Sequence, residues 1–183
     1  MDFLKRQQGG KTMKDSELRM IETMLKKQDE LNSAIMKEYG LTTISKEQID
    51  LATLDEIGEF THELKGDWCW WKKSQAPVDN EKVLGELVDI WHFILSWQNH
   101  FMRGEEGLRK EKVMIETIKQ YVWGLKNLKK EFGYVLTDLP CYADSRVEIL
   151  IAITEYLGFE VEQVYEAYCD KNKVNYQRLK EGY

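Results

Sequence analysis

Two acid pairs, Glu56-Ile-Gly-Glu59 and Glu86-Leu-Val-Asp89, are the residues best suited to chemistry in this chain. Each pair has i, i+3 spacing inside a stretch that otherwise reads as helix interior. Residues three apart on a helix share a side, with Cβ atoms about 5–6 Å apart. Turned by about 100° per residue, Glu56 falls in line with Ile49, Phe60 and Leu64. Glu59 lies on the flank of that apolar face and Glu63 near its centre. Glu86 and Asp89 have apolar residues on nearly every side, so burial is expected for them. A buried, unpaired carboxylate costs several kcal/mol, and four together repel and hold protons instead of ionising. A divalent cation removes the conflict. Mg²⁺ prefers carboxylate oxygen, keeps several waters and often shares substrate phosphates. It polarises a phosphoryl oxygen and lowers the pKa of a bound water. A lone E-x-x-E is more often paired with Lys or Arg, or solvated. Glu86 and Asp89, in so apolar a helix, argue for metal-dependent phosphate chemistry.

Two histidines offer a different metal reading. Glu59-Phe-Thr-His62 matches E-x-x-H and Asp89-Ile-Trp-His92 resembles it, as in a di-iron carboxylate bundle. His62, however, projects away from the face that holds Glu56, and His92 sits on a different side of its helix from Glu86. Both are expected to be supporting or core histidines. Gly58 and Gly85 lie roughly opposite the acid-bearing faces. A mid-helix glycine costs about 1 kcal/mol against alanine, so a close contact with another helix or subunit is expected there.

The elements that must position these acids are helices. The first is expected over about 16–38, with Leu18, Ile21, Leu25, Leu31 and Ile35 near a 3.6-residue period and Gly40 beyond its end. Ser45-Lys-Glu-Gln48 is a capping-box pattern opening a second helix to about Lys65, which Gly66-Asp67 breaks. A tryptophan-rich run, Trp68-Cys-Trp70-Trp71-Lys72-Lys73, follows as a short helix or turn, and Pro77 marks a loop. Asp79 or Asn80 caps a third helix to about Met102, apolar on nearly all faces and so expected at the centre. A fourth helix follows Gly107 to about Lys130, then a loop over 133–142. Ser145-Arg-Val-Glu148 reads as another capping box, opening a fifth helix to Tyr156. A sixth runs from near Val161 toward Arg178. No stretch alternates with period two long enough for a strand. The expectation is an all-α fold of about six helices: one domain over 15–183 behind a loose leader over 1–14.

Bulk properties narrow the function. The 183 residues carry a net charge of −6, without the basic surplus of a nucleic-acid binder. Acidic substrates must therefore be met by local cations or by metal. Cys69, Cys141 and Cys169 form no C-x-x-C, which argues against a disulfide framework or zinc site and fits a reducing cytoplasm. No apolar run is long enough to span a bilayer, and the N-terminus lacks the apolar core of a signal peptide.

Five segments together resemble the all-α dimeric dUTPases of phage or bacterial type, within the wider MazG-like group of all-α nucleotide pyrophosphohydrolases. They are Gln28-Asp-Glu-Leu-Asn32, Glu56-Ile-Gly-Glu59, Trp68-Cys-Trp-Trp71-Lys72, Glu86-Leu-Val-Asp89-Ile-Trp-His-Phe93, and Lys171-Asn-Lys-Val-Asn175-Tyr-Gln-Arg178 closing with Gly182-Tyr183. The acids alone mark only the broad superfamily; the tryptophan-lysine and C-terminal segments narrow it. The resemblance implies a homodimer that cleaves dUTP, and also dUDP, to dUMP with release of pyrophosphate or phosphate by a metal-activated water. It implies that Glu56, Glu59, Glu86 and Asp89 hold Mg²⁺, with Glu56 or Glu59 also orienting or deprotonating the water. Gln28 and Asn32 read the uracil edge, and Trp68 or Trp71 packs on the base. Lys72, Lys171, Asn175, Arg178 and Tyr183 bind phosphates. The chemistry suits the roles, because amides both donate and accept and arginine grips phosphate in a fork. Each residue also has a plainer reading: Gln28 and Asn32 as an exposed helix pair, one tryptophan and Phe93 as core, the C-terminal cations as a solvated helix end. Cys69 stands where relatives often carry lysine. The alternatives are a MazG-like enzyme for another nucleotide such as dCTP, a di-iron carboxylate bundle, or a helical interaction module.

Overall fold

The computed structural model describes residues 13–102, 128–141 and 146–182. Seven helices lie among them: α1 (Asp15–Glu38), α2 (Lys46–Glu63), α3 (Lys65–Trp68), α4 (Asn80–Phe101), α5 (Leu128–Asp138), α6 (Arg146–Tyr156) and α7 (Val161–Glu181). The fold is all-α, and no strand occurs among the described residues. Most of the expected fourth helix, the Ser145 capping box and residues 1–12 lie outside them. Met13, read as leader, is buried in the core.

The centre is α4, as its apolar surface requires. It packs against α1, α2, α6 and α7, and α1 packs in turn on α7. Leu87, Ile90, Trp91, Ile94 and Leu95 on α4 are fully buried among Ile21, Leu25, Phe60, Leu150 and Tyr168. Burying such a side chain stabilises by about 1.5–3 kcal/mol relative to leaving it exposed. Polar ties fix the register: Trp91 Nε1 donates to Thr154 Oγ1 at 3.2 Å, and Asn99 Nδ2 to the Leu25 carbonyl at 2.9 Å.

Local signals set the helix ends. Ser45 Oγ accepts from the Gln48 amide at 3.1 Å, and Gln48 Oε1 accepts from the Ser45 amide at 2.9 Å. Asp79, not Asn80, caps α4 by accepting from the Glu81 amide at 3.0 Å. Gly40 and Gly158 adopt φ of 64° and 85°, left-handed backbone in which a Cβ is strained.

Three expectations require correction. The segment over 133–142 is not all loop, because α5 continues through Gly133 to Asp138. Leu136 and Leu139 are buried and Phe132 packs on Phe60 and Tyr156, so tertiary packing outweighs the weak helix propensity of glycine. The break after α2 falls at Leu64, and Gly66-Asp67 sit inside the helical turn α3. There a Cβ on Gly66 would meet the Ala76 carbonyl oxygen at 2.8 Å, so the returning chain crosses close enough to require glycine. Finally, of the helix or subunit contact expected at Gly58 and Gly85, the helix contact is not met: nothing lies within 4 Å of a Cβ built on either. No other helix among the described residues packs there.

A buried arginine also escaped the sequence reading. Arg146, at the start of α6, donates to Asp50 Oδ1 at 2.7 Å and to the Pro140 carbonyl, and its guanidinium lies 4.2 Å over the Trp97 ring. It ties α6 to α2 and explains how a charged residue sits at the helix start within the core.

Candidate functional site

The second and fourth helices face each other along the acid pairs. One carboxylate oxygen each from Glu56, Glu86 and Asp89 lies within 4.8 Å of the others. Opposite ligands of a magnesium ion stand about 4.2 Å apart, so a small rotation of these side chains closes the set around one cation. Glu86 and Asp89 are half-buried, not enclosed as their apolar helix suggested. The reason is that α4 leaves one strip, through Gly85, Glu86 and Asp89, uncovered beside α2. Glu59 is exposed and stands outside the trio. It lines an open groove of about 410 Å³ with Asp55, Gly58, His62, Glu63 and Glu86.

The electrostatics match a cation site. Burial, then the neighbouring carboxylates of Asp89, Glu59 and Glu86, push Glu56 up to about 7, against a partial offset from Lys171. Glu86 is raised by burial and by Asp89 and Glu59. Lys171, reaching over from α7, donates to Asp89 Oδ2 at 2.7 Å. The donor set is all carboxylate oxygen, which suits a hard divalent ion. The residues present therefore fit a magnesium-class metal. His62 does not join them: it is exposed, and its Nδ1 lies 2.8 Å from Lys65 Nζ. A lysine donates and does not accept, so His62 is the acceptor of this pair.

The raised Glu56 gives a pH prediction. The folded chain holds this proton up to about pH 7, while the unfolded chain releases it near 4.5. The associated stability is complete below about 4.5 and is lost as pH rises through 7. His92 acts in the opposite sense, since burial lowers it from 6.5 to about 3. Its contribution is present above 6.5 and lost as pH falls toward 3. The two windows overlap, so the comparison is between parent and Glu56→Gln. In metal-free thermal melts the parent's Tm is expected to fall relative to the variant's between pH 4.5 and 7. Parallel curves across that window count against the charge cluster.

Next to the acids lies a buried polar network. Gln28 and Asn32 are 3% and 6% exposed, so they are no solvated helix pair. Gln28 Nε2 donates to Asn32 Oδ1 at 2.9 Å. Gln28 Oε1 accepts from the Tyr168 hydroxyl at 2.8 Å and faces His92 Nδ1 at 2.7 Å. Ser96 Oγ donates to Asn32 Oδ1 at 3.2 Å, and the His92 ring stacks on Tyr168 at 4.3 Å. With His92 neutral and Nδ1 against a carbonyl oxygen, its proton sits on Nδ1 and Nε2 is an acceptor. Three buried atoms of this neighbourhood lack partners: Asn32 Nδ2, His92 Nε2 and Asn172 Nδ2. Buried polar atoms left so are costly, and a ligand edge with matching groups satisfies them. Tyr168, Ser96 and Asn172 were not singled out in the sequence, and His92, expected to be a supporting or core histidine, is buried here. The sequence signal was polar side chains at helical spacing on inner faces: His92 and Ser96 on α4, Tyr168 and Asn172 on α7.

A family model described as dUTPase matches residues 20–183, spanning the acid trio, the polar network and α7. The chain belongs to the dUTPase family. Its activity is the hydrolysis of dUTP, that of a dUTP diphosphatase. A comparison with curated proteins finds no match.

The remaining residues singled out in the sequence surround this enzyme's site unevenly. Lys171 and half-buried Asn175 lie one turn apart on α7, and exposed Arg178 continues that line. Trp68, Trp70 and Trp71 are 43%, 87% and 55% exposed, so none is core; Cys69 is the buried member of that run. Trp68 Nε1 donates to the Thr61 carbonyl at 2.8 Å, and Trp71 rests on Trp68 at 5.5 Å. Lys72 is exposed at the end of the run, and Phe93 is half-buried instead of core. Tyr183 lies outside the described residues. No helix among the described residues is long and apolar enough to cross a membrane.

Proposed function

We propose that this dUTPase is Mg²⁺-dependent, that it converts dUTP and dUDP to dUMP with release of pyrophosphate or phosphate, and that Glu56, Glu86 and Asp89 hold the ion. The observation that carries the reading is the meeting of these three carboxylates within 4.8 Å on facing helices. A divalent ion bound there supplies charge neutralisation for the phosphates and makes a nearby water more acidic. The protein's own groups do the rest. Glu59, exposed on the groove beside Glu86, is free to orient the attacking water and take its proton. Lys171, Asn175 and Arg178 line up along α7 to meet phosphate oxygens, with Lys72 and Tyr183 as further contacts. A loose phosphoryl transition state needs mainly such positioning and neutralisation.

Base choice follows from the partnerless atoms. Uracil presents acceptor, donor, acceptor along its edge. His92 Nε2 accepts from N3–H, while Asn32 Nδ2 and Asn172 Nδ2 donate to the flanking carbonyl oxygens. Cytosine offers a lone pair at N3 and an amine beside it, which opposes both kinds of contact. This disfavours the dCTP reading. Gln28 serves chiefly to hold His92 and Tyr168, since both lone pairs of its Oε1 are engaged. The tryptophan pair Trp68 and Trp71 presents open aromatic faces for a base. The di-iron reading loses support because His62 is taken by Lys65 and neither histidine joins the carboxylate trio.

The enzyme is also proposed to be a cytoplasmic homodimer, one domain per chain over residues 15–183. Leu51 and Leu54 on α2 are 61% and 47% exposed, and with the open surface at Gly58 they form a stripe suited to a second copy. The decisive assay is formation of the nucleoside monophosphate from a panel of dUTP, dUDP, dCTP, dTTP and dATP with Mg²⁺, with pyrophosphate released from the triphosphates and phosphate from dUDP, repeated with chelator. Turnover confined to the uracil nucleotides and abolished by chelator is expected. Preference for dCTP, or full activity in chelator, overturns the reading.

A further inference from the structure

We propose that Lys171 is a stand-in cation for the metal site: its ammonium neutralises Asp89 until the divalent ion displaces it toward the phosphates. The inference rests on the metal reading above. Its basis is the pairing of a residue on the phosphate-facing line of α7 with a residue of the carboxylate trio. Lys171 Nζ lies 2.7 Å from Asp89 Oδ2, with the two side chains 32% and 16% exposed. Asp89 is also within 4.8 Å of Glu56 and Glu86 through one oxygen. The ammonium therefore sits at the edge of the cage that the metal enters.

Both cations cannot hold Asp89 on equal terms. A divalent ion among these carboxylates repels an ammonium a few ångströms away, and the repulsion is strong in a half-buried site. Lysine has a flexible four-carbon stem and rotatable donors, so the head moves several ångströms while α7 stays fixed. The direction of release is set by the helix. Asn175 follows Lys171 by one turn and Arg178 by two, so the freed charge joins the groups that face phosphate. The consequence is coupling: the same lysine weakens metal binding in the empty enzyme and strengthens nucleotide binding once metal is present. A residue with differential affinity for two states links the two ligands in this way.

The test uses the full chain and Lys171→Met, which keeps the apolar stem and drops the charge. Mn²⁺ binding is measured without nucleotide by electron paramagnetic resonance, in alkaline buffer where protons do not compete for the carboxylates. Nucleotide affinity is measured by calorimetry with an α,β-imido analogue of dUTP at saturating Mn²⁺. Lys171→Met is expected to bind Mn²⁺ roughly fivefold more tightly, the size of a partly exposed ion pair, and the analogue about tenfold more weakly. Lys171→Arg, which retains the charge, is expected to bind Mn²⁺ as the parent does. A variant that binds Mn²⁺ no more tightly than the parent overturns the inference alone. Weaker binding of both ligands points to a lysine that merely props the site, which also overturns it. A parent that binds no Mn²⁺ overturns the metal reading and this inference together.

Discussion

Glu86→Gln is expected to lower kcat for dUTP by about 10²–10³-fold, the loss typical when a preorganised charge contact to the reacting group is removed. Glutamine matches glutamate in shape, so the helices are expected to stay intact and the far-ultraviolet circular dichroism unchanged. The charge is what disappears. Glu86 contributes one of the three converging oxygens, and without its charge the set holds a divalent ion poorly. Stability is expected to move the other way. Glu86 is raised by burial and by its acidic neighbours, so removing its charge relieves repulsion in the metal-free chain. A Tm equal to or above the parent's, beside a collapsed kcat, separates a catalytic loss from misfolding. Near-normal turnover by Glu86→Gln contradicts the assignment.

Asn32→Ala is expected to cut kcat/KM for dUTP by about 10²-fold and narrow its preference over dCTP, while Mn²⁺ affinity stays at the parent value. Asn32 has a carbonyl oxygen committed to Gln28 and Ser96 and a buried amide nitrogen without a partner. Losing a donor to a ligand carbonyl leaves that oxygen desolvated and unpaired, which costs about 1–3 kcal/mol. Sites that recognise by hydrogen bonds discriminate strongly for that reason. The alanine also leaves Gln28 Nε2 without its acceptor, so His92→Gln serves as an independent probe of the same edge. Steady-state kinetics on dUTP and dCTP with both variants decide the point. Unchanged discrimination in both places the base elsewhere, with the exposed Trp68–Trp71 pair the next candidate.

The convergence of Glu56, Glu86 and Asp89 was legible in the sequence because its information is local, while Glu59 stands apart from them. An i, i+3 pair inside an apolar helix declares its own face, and the apolar surround of α4 marks it as central. The same holds for the Ser45 capping box and for the glycine at 40. What the sequence hid is carried by contacts across long chain separations. Gln28 meets His92 and Tyr168 through bonds spanning 64 and 140 residues, and no periodicity names such partners. Arg146 looked like part of a capping box because its partners, Asp50 and Trp97, lie far away in the chain. The tryptophans misled by composition: large aromatics usually bury, yet this run leaves the bundle after α3 and buries Cys69 instead. Helix α5 was obscured by Gly133, whose weak local propensity is overridden by Leu136 and Leu139 in the core.

The most direct test of the whole reading is anomalous diffraction from crystals grown with Mn²⁺ and a non-hydrolysable dUTP analogue. The expected map has an Mn²⁺ peak within about 2.1–2.3 Å of oxygens from Glu56, Glu86 and Asp89, with the uracil edge against Asn32, His92 and Asn172. A metal peak away from these carboxylates, or a base bound outside the buried polar network, contradicts it.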